Sequence, residues 1–289
     1  MKTKRDFFNL FIAFILVLYF VTIAFSVYFV IVTSLKSIPD FDENFFGLPG
    51  KIDLEQIKKV LSYKFKRSRN GTLITFTLFP DLLIYTAIYT VGSAFFAALV
   101  PCVMAYLSAK FDYSFGKIVY ATVVVVMIVP IVGNLPSMIT VLRALGLYDT
   151  FYGAFIMKAN FVNMYFLIFY AVYKGIPDDY AEAAYIDGAK ELTVFVRIMF
   201  PLVKTSFATV MLIFFVDLWN DYQIPLLYLP SHPTLSWAVY TLSLTVSTGM
   251  TSAPVKMASC AIMVVPTIAV FIIFRNKLMG NLSMGGLKG

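Results

Sequence analysis

Few side chains in this sequence are equipped for chemistry, and their spacing rules out most of it. His232 is the single histidine. It sits in Pro230-Ser231-His232-Pro233, an expected Pro-flanked loop with no positioned nucleophile, so a histidine metal cluster fails by number and a Ser-His-Asp triad lacks support. Cys102 and Cys260 both fall in apolar runs and read as small packing residues, not as a disulfide framework or metal ligands. Gly47-Leu48-Pro49-Gly50-Lys51-Ile52 approaches a phosphate-binding loop. Its glycines are too close together, however, and Ile52 stands where Ser or Thr would hold magnesium, so the chain binds no ATP by this motif. That leaves Asp217 and Asp221, four residues apart in an apolar run and expected on one helical face. Carboxylates inside a membrane are costly and face a cavity or a partner. A transport path or a proton relay would use both. The plainer reading has Asp221, beside Asn220 and Tyr222, hydrogen-bonding the bundle at an aqueous mouth.

The elements that must hold these residues are membrane helices. The chain of 289 residues is 60% hydrophobic and 13% charged, against roughly 25% charged residues in a soluble domain. A bilayer core takes about 20 apolar residues as helix. Six runs qualify: Phe7 to Leu35, Leu82 to Ala109, Ile118 to Leu142, Phe151 to Tyr173 (interrupted only by Lys158), Thr205 to Leu229 and Met257 to Phe274. A lipid-exposed backbone must satisfy its own hydrogen bonds, and the runs are continuous where barrel strands would alternate, so the expected fold is all-α with six transmembrane helices. The organisation reads as an N-terminal anchor helix over 1–35, an extramembrane element over 36–81, and a core over 82–289. The first run is too long for a signal peptide despite Lys2, Lys4 and Arg5 before it.

Charge leaves orientation less clear. The net charge of +7 fits anionic lipid and cytoplasmic anchoring at least as well as nucleic acid, since no basic helix or basic-aromatic platform appears. With both termini inside, most loops obey the positive-inside rule, but the outer segment from Lys36 to Asp81 carries eight Lys and Arg residues against it. Within that segment Asp53 to Tyr63 predicts a short helix, with Leu54, Ile57, Val60 and Leu61 at helical spacing, and Thr72 to Phe79 predicts a strand after the Asn70-Gly71 turn. Its basic face is solubilising or recognises an acidic ligand or partner.

The segment from Lys174 to Lys204 is the most polar one on the inner side. Pro177-Asp178-Asp179 marks a helix start, Tyr180 to Ile186 a short helix, and Gly188 a sharp turn through positive φ. Leu192, Phe195 and Val196 predict a second helix with an apolar face, which Pro201 kinks or restarts at the membrane. Small Ala181, Ala183 and Ala184 let another surface come close. Such a helix-turn-helix is a rigid knob that fits a partner's groove, where Glu182 caps or pairs.

The joint pattern Glu182-Ala183-Ala184, three residues, Gly188, nine residues, Ile198-Met199-Phe200-Pro201 resembles the cytoplasmic coupling loop of ABC-importer permeases, with Phe200 in place of the usual Leu. Ile176-Pro177, Asp187-Gly188-Ala189, Trp219-Asn220-Asp221-Tyr222 and the Met284 to Gly289 ending widen the resemblance to carbohydrate permeases related to the smaller maltose-transporter subunit. It covers nearly the whole chain and is weakest over 36–81. The resemblance implies a multi-pass subunit of the bacterial cytoplasmic membrane, with the coupling loop 174–204 between spans four and five. It implies four kinds of partner: a second permease, two ATPase subunits holding ATP and magnesium, an extracytoplasmic solute-binding protein, and the sugar. It implies no catalytic residue or cofactor in this chain. Glu182, Ala183, Ala184, Asp187, Gly188, Ile198 and Pro201 would engage the ATPase, and the tail residues Gly285, Gly286, Lys288 and Gly289 would reach between the two ATPases. Pro230, His232 and Pro233 would touch the binding protein. A sugar path wants amides, hydroxyls and aromatic faces, and Asn134, Asn160, Asn163, Tyr165, Asn220 and Tyr222 supply them beside Asp217 and Asp221. The same machinery could carry another small solute. A carrier without an ATPase would instead use the two aspartates for protons.

Overall fold

In the computed structural model, residues 2–69, 72–111, 113–129, 133–245 and 250–282 are described. They form α1 (Lys2–Ser34), α2 (Ile38–Glu43), α3 (Glu55–Ser62), the paired strands β1 (Phe65–Arg69) and β2 (Thr72–Phe76), then α4 (Leu83–Lys110), α5 (Ser114–Ile128), α6 (Leu135–Ala144), α7 (Phe151–Lys158) and α8 (Met164–Lys174). There follow α9 (Asp179–Ile186), α10 (Glu191–Val194), a π turn (Phe195–Met199), α11 (Phe200–Asn220), α12 (Gln223–Tyr228), α13 (Leu235–Leu244) and α14 (Ala253–Leu282).

Among the described residues, four helical stretches are long and apolar enough to cross a membrane: Phe8–Ser34, Pro80–Lys110, Glu191–Asn220 and Ala253–Val270. The expected third and fourth runs are each divided instead. α5 ends at Ile128, before α6 opens with Leu135-Pro136. α7 ends at Lys158 because Asn160 and Asn163 turn the chain, the first accepting from Val162 N at 2.9 Å and the second from Tyr165 N and Phe166 N. Hydrophobicity survives such a break, and helix continuity does not, because short amides compete for backbone groups. The fifth run stops at Asn220 rather than continuing to Leu229.

The chain divides into two compact units. The first comprises 1–65, 75–79 and 238–266. In it, every side chain of α1 from Phe8 to Tyr28 is exposed, as an apolar helix meant for lipid should be. Past α1 the chain folds tightly. Ser37 caps α2, Asp53 N donates to Leu35 O at 2.9 Å, and Lys36 is fully buried with its Nζ on the carbonyls of Asn44 and Phe45. α3 begins two residues later than the expected helix, and it buries Gln56 and Val60 while exposing Leu54 and Leu61, so the apolar spacing does not mark one inward face.

The second unit comprises 66–74, 80–237 and 267–289. Its centre is α4, which packs against α8, α11, α7 and α5. Ala94, Ala97, Ala98, Cys102, Ala105 and Ala109 recur every three or four residues along its buried face, so neighbouring helices approach closely. At Gly92 a Cβ would lie 2.3 Å from the Phe155 ring of α7, and Cys102 Sγ lies 3.4 Å from the Tyr173 hydroxyl of α8. α7 and α8 thus lie in turn along the length of α4.

Candidate coupling surface and a polar tie

The segment with the densest motif is built from its capping chemistry outward. α9 starts after Pro177, with Asp179 and Glu182 in its first turn, where the helix dipole favours acids. It ends in a Schellman motif: Gly188 N donates to Tyr185 O (3.0 Å) and Ala189 N to Ala184 O (2.9 Å). That geometry needs a left-handed residue, and Gly188 has φ +79° with nothing within 4 Å of where a Cβ would stand. The glycine is there for its backbone, not for space. At the other end, Lys110 at the close of α4 donates to Asp178 Oδ1 (2.6 Å) and to Ile176 O, tying the start of the loop to the central helix. The bond and charge of Lys110, then the charge of Lys174, lower the Asp178 pKa from its ordinary value.

After the turn, α10 runs through a single π turn into α11, and Pro201 is the second residue of α11, directly after that π turn. Of the expected apolar face, only Phe195 turns inward, its ring 4.9 Å from that of Tyr106. Val194 and Met199 are fully buried, in the cluster that holds Tyr106, Tyr173 and Ala184, whereas Leu192 and Val196 are exposed. Ala184 therefore lets α9 approach its own core, and exposed Ala183 lies beside it on the outside. The fold brings Ala183, Ala184, Asp187 and Ile198 together in one groove of about 550 Å³, completed by Pro177, Asp179 and Tyr180. Around it stand exposed Tyr185, Ile186 and Leu192, with Ile186 86% accessible. Glu182 is exposed, and its carboxylate is held by no hydrogen bond or ion pair among the described residues. Tail residues Gly285, Gly286, Lys288 and Gly289 lie outside the described residues.

The candidate path residues fare differently. Asn163 spends its amide as the N-cap of α8 and on Asn160 O. Asn134 is exposed at the start of α6 without a side-chain cap bond. The Tyr165 ring lies 4.7 Å from that of Phe214 and within electrostatic reach of Asp217, an exposed residue of α11. Asn220 folds back on Val216 O at 2.8 Å, and Tyr222 is exposed. Asp217 and Asp221 do not share a helical face. Asp221 leaves α11 with ψ 105°, because its carboxylate caps α12. Oδ1 accepts from Gln223 N (3.0 Å) and Ile224 N (3.1 Å), while Oδ2 takes the Tyr89 hydroxyl (2.7 Å) and lies 3.4 Å from Lys158 Nζ. This explains the one charge in the fourth run: Lys158 is a counter-ion.

The Pro230-Ser231-His232-Pro233 segment is folded in rather than displayed as a loop. Ser231 and Pro233 are buried, and Pro230 is half-buried. The His232 ring lies 4.6 Å from Phe151 and 5.2 Å from Tyr85. Asp149 holds the segment, its carboxylate accepting from Ser231 N (2.8 Å) and Ser231 Oγ (2.6 Å) and lying 3.5 Å from His232 Nδ1.

Two residues escaped sequence reading. Asp149 adopts φ +62°, and Arg67, from the basic outer segment, fastens the end of α12, donating to Leu226 O (2.6 Å), Pro225 O (3.3 Å) and Leu229 O (3.4 Å) with Trp237 5.2 Å beneath it. Burial lowers the Arg67 pKa from its ordinary value, against the opposing charges of Asp149 and then Tyr148. No local signal marks either role, since both depend on contacts far along the chain.

Residues 97–279 match the family described as the binding-protein-dependent transport system inner membrane component. The arabinooligosaccharides transport system permease protein AraQ of Bacillus subtilis (strain 168) is 27% identical over 82% of this chain and 83% of its own. The melibiose/raffinose/stachyose import permease protein MelC of the same strain is 25% identical over 91% and 90%. The fold is similar, with a TM-score of 0.77 at 22% identity over 94% of this chain and 96% of the other, to a chain in the crystal structure of a bacterial ABC transporter involved in the import of the acidic polysaccharide alginate. With more than half of its length matched, the chain belongs to the family of binding-protein-dependent transport system inner membrane components.

Proposed function

We propose that this chain is a permease subunit of an ATP-driven carbohydrate importer, taking an oligosaccharide from a solute-binding protein and passing it between two permeases by alternating access. The carrying observation is the groove that unites Ala183, Ala184 and Asp187 with Ile198 beneath the Gly188 turn. It gives the long spacing a physical purpose: the two halves of the motif are one surface, rigid by capping and rimmed by exposed apolar side chains. Family membership and the sugar-named relatives supply the context. ATP and magnesium would be held by the partner ATPase, whose closure moves α9, with force passing to α4 through Lys110 and to α11 through the unbroken α10 junction.

Six passes follow if α5 with α6, and α7 with α8, each make one crossing. α5 alone is about 22 Å long at 1.5 Å per residue, short of a core of about 30 Å. Both termini and the coupling surface then lie in the cytoplasm, which fits the contact between the end of α4 and Asp178. The outer end is then the tie around Asp149, Arg67 and Asp221. The binding protein would meet its exposed rim, to which half-buried Pro230 and His232 contribute while Pro233 is buried. The tail through Gly285, Gly286, Lys288 and Gly289 would reach the ATPases.

A proton relay loses its pair, since Asp221 is committed to capping and to Lys158. Asp217, Tyr165, Asn134 and Tyr222 remain as path-facing candidates. Affinity purification from the native host should recover a second permease and two ATPase copies. Glu182→Lys should abolish ATP-driven sugar uptake in proteoliposomes while membrane insertion is retained. Recovery of the chain alone, active in uptake driven by a pH gradient, would overturn the reading.

A further inference from the structure

The basic segment after α1 contains a turn that folds back along the apolar helix. The ring of Phe46 lies 6.0 Å from Phe25, that of Phe45 lies 5.4 Å from Phe29, and the Tyr28 hydroxyl donates to Phe46 O at 3.3 Å. Phe25 is nine residues before the end of α1, about 13 Å along the helix axis. The apolar stretch Phe8–Ser34 has 27 residues, and a hydrocarbon core takes about 20. Every placement of such a core within that stretch includes Phe25, so Phe46 is held at hydrocarbon depth.

The turn is equipped for that depth. Irregular backbone in lipid is tolerated only when its polar groups are satisfied internally, and several carbonyls of this turn are. Lys36 Nζ serves the carbonyls of Asn44 and Phe45, Tyr28 that of Phe46, and Asn44 Nδ2 that of Leu48 (3.0 Å), while Asn44 Oδ1 accepts from Gly47 N (2.9 Å). A Cβ at Gly47 would stand 2.4 Å from that Asn44 oxygen, so the ring of contacts requires glycine. The side chains turned outward are apolar: Phe46 is 62% exposed, and Leu48 and Ile52 are 67% exposed. Beside them, Lys51 and Lys58 are exposed and outside any ion pair among the described residues, and Lys58 lies between exposed Leu54 and Leu61 on one face of α3. Apolar side chains with flanking lysines suit the acyl–headgroup boundary, where the lysine stems lie on apolar surface and the ammonium groups reach phosphate.

We propose that the turn over 44–54 is a membrane-seated elbow, with Phe46, Leu48 and Ile52 among acyl chains and Lys51 and Lys58 on the phosphates of anionic lipids. Lys51 and Lys58, two of the cations that run against the positive-inside rule, then bind lipid phosphates rather than count against the topology.

The test is spin labelling of the full chain in its complex, reconstituted in vesicles, with Leu48→Cys or Ile52→Cys in a Cys102→Ala, Cys260→Ala background and Phe20→Cys on α1 as the lipid reference. Collision with oxygen, which concentrates in lipid, is compared with collision by a water-soluble nickel chelate. Both elbow positions should favour oxygen, as Phe20 does. Replacing phosphatidylcholine by phosphatidylglycerol should raise that preference, and Lys51→Gln with Lys58→Gln should remove the rise. Labels open to the chelate would place the elbow in water and overturn the proposal. Labels closed to both probes would mean that protein, such as the second permease, covers it, which also overturns it. Lipid-like collision with no response to phosphatidylglycerol would overturn the phosphate assignment.

Discussion

Gly188 and Asp149 both turn the chain through positive φ, yet they leave opposite surroundings behind. At Gly188, φ +79°, nothing fills the space outside the turn, and the side chains around it are displayed. At Asp149, φ +62°, the strain of a left-handed non-glycine residue is offset by a carboxylate that grips Ser231 twice. The first region keeps its shape through backbone caps and the Lys110–Asp178 tie, and leaves most of its exposed side chains for a partner. The second spends its side chains internally, joined by Arg67, Asp221 and Tyr228, the last donating to Leu135 O at 2.8 Å. A mechanical linkage needs both: a surface that is rigid but unspent, and a tie that is closed on itself.

The contrast is broken most strongly at the turn that only glycine makes. Gly188→Pro imposes φ near −65° and removes the N–H that reaches Tyr185 O, at a cost of about 3 kcal/mol or more. Uptake and sugar-stimulated ATP hydrolysis should fall to background while the amount in the membrane stays normal. Gly188→Ala should retain partial activity, because a left-handed alanine costs only about 1–2 kcal/mol. Full uptake by the proline variant would mean that the turn does not transmit force.

At the tie, Asp149→Ala leaves two buried donors of Ser231 without acceptors, a penalty of about 1–3 kcal/mol. It should lower the thermal midpoint of the detergent-solubilised complex. Asp149→Asn should lower it less, since asparagine tolerates the left-handed region and keeps one acceptor. Equal midpoints for wild type and the alanine variant would show that Ser231 is held by its neighbours instead.

The smallest effect is at Asp178. Its pKa is lowered in the folded state by Lys110, so the pair's contribution is present above the ordinary carboxylate value of about 3.9 and fades as pH falls through the lower folded value. Asp178 is 70% exposed, so solvent screens the pair. The small difference in midpoint between wild type and Asp178→Asn should stay constant from pH 8 to pH 5 and shrink only in stronger acid. A difference that changes near neutrality would point to another group.

Local rules made much of the coupling segment readable. Pro177 with its acids, and Gly188 after Ile186, are capping signals confined to a few residues, and the observed bounds of α9 follow from them. Those rules misplaced the apolar face after the turn. Leu192, Phe195 and Val196 have α-helical spacing, but the buried residues Val194 and Met199 are five apart, a spacing set by the π turn, and of the expected three only Phe195 joins them against the core. Likewise, hydropathy identified the third and fourth runs and could not see their breaks, because apolar content is a sum and continuity depends on where Asn160 and Asn163 spend their amides.

By itself the sequence determined that the chain lies in a membrane, that it is helical, and that the polar segment 174–204 carries a caps-and-glycine knob, since composition, run length and capping are properties of adjacent residues. The tertiary structure alone decided that Ile198 joins Ala183 in one groove, that Asp221 answers Lys158 while Asp217 stays exposed, and that Arg67 and Lys36 are internal struts rather than free surface charge. Each of these pairings joins residues whose separation in the chain bears no fixed relation to their distance in space, and only the packing of the helices brings them within reach.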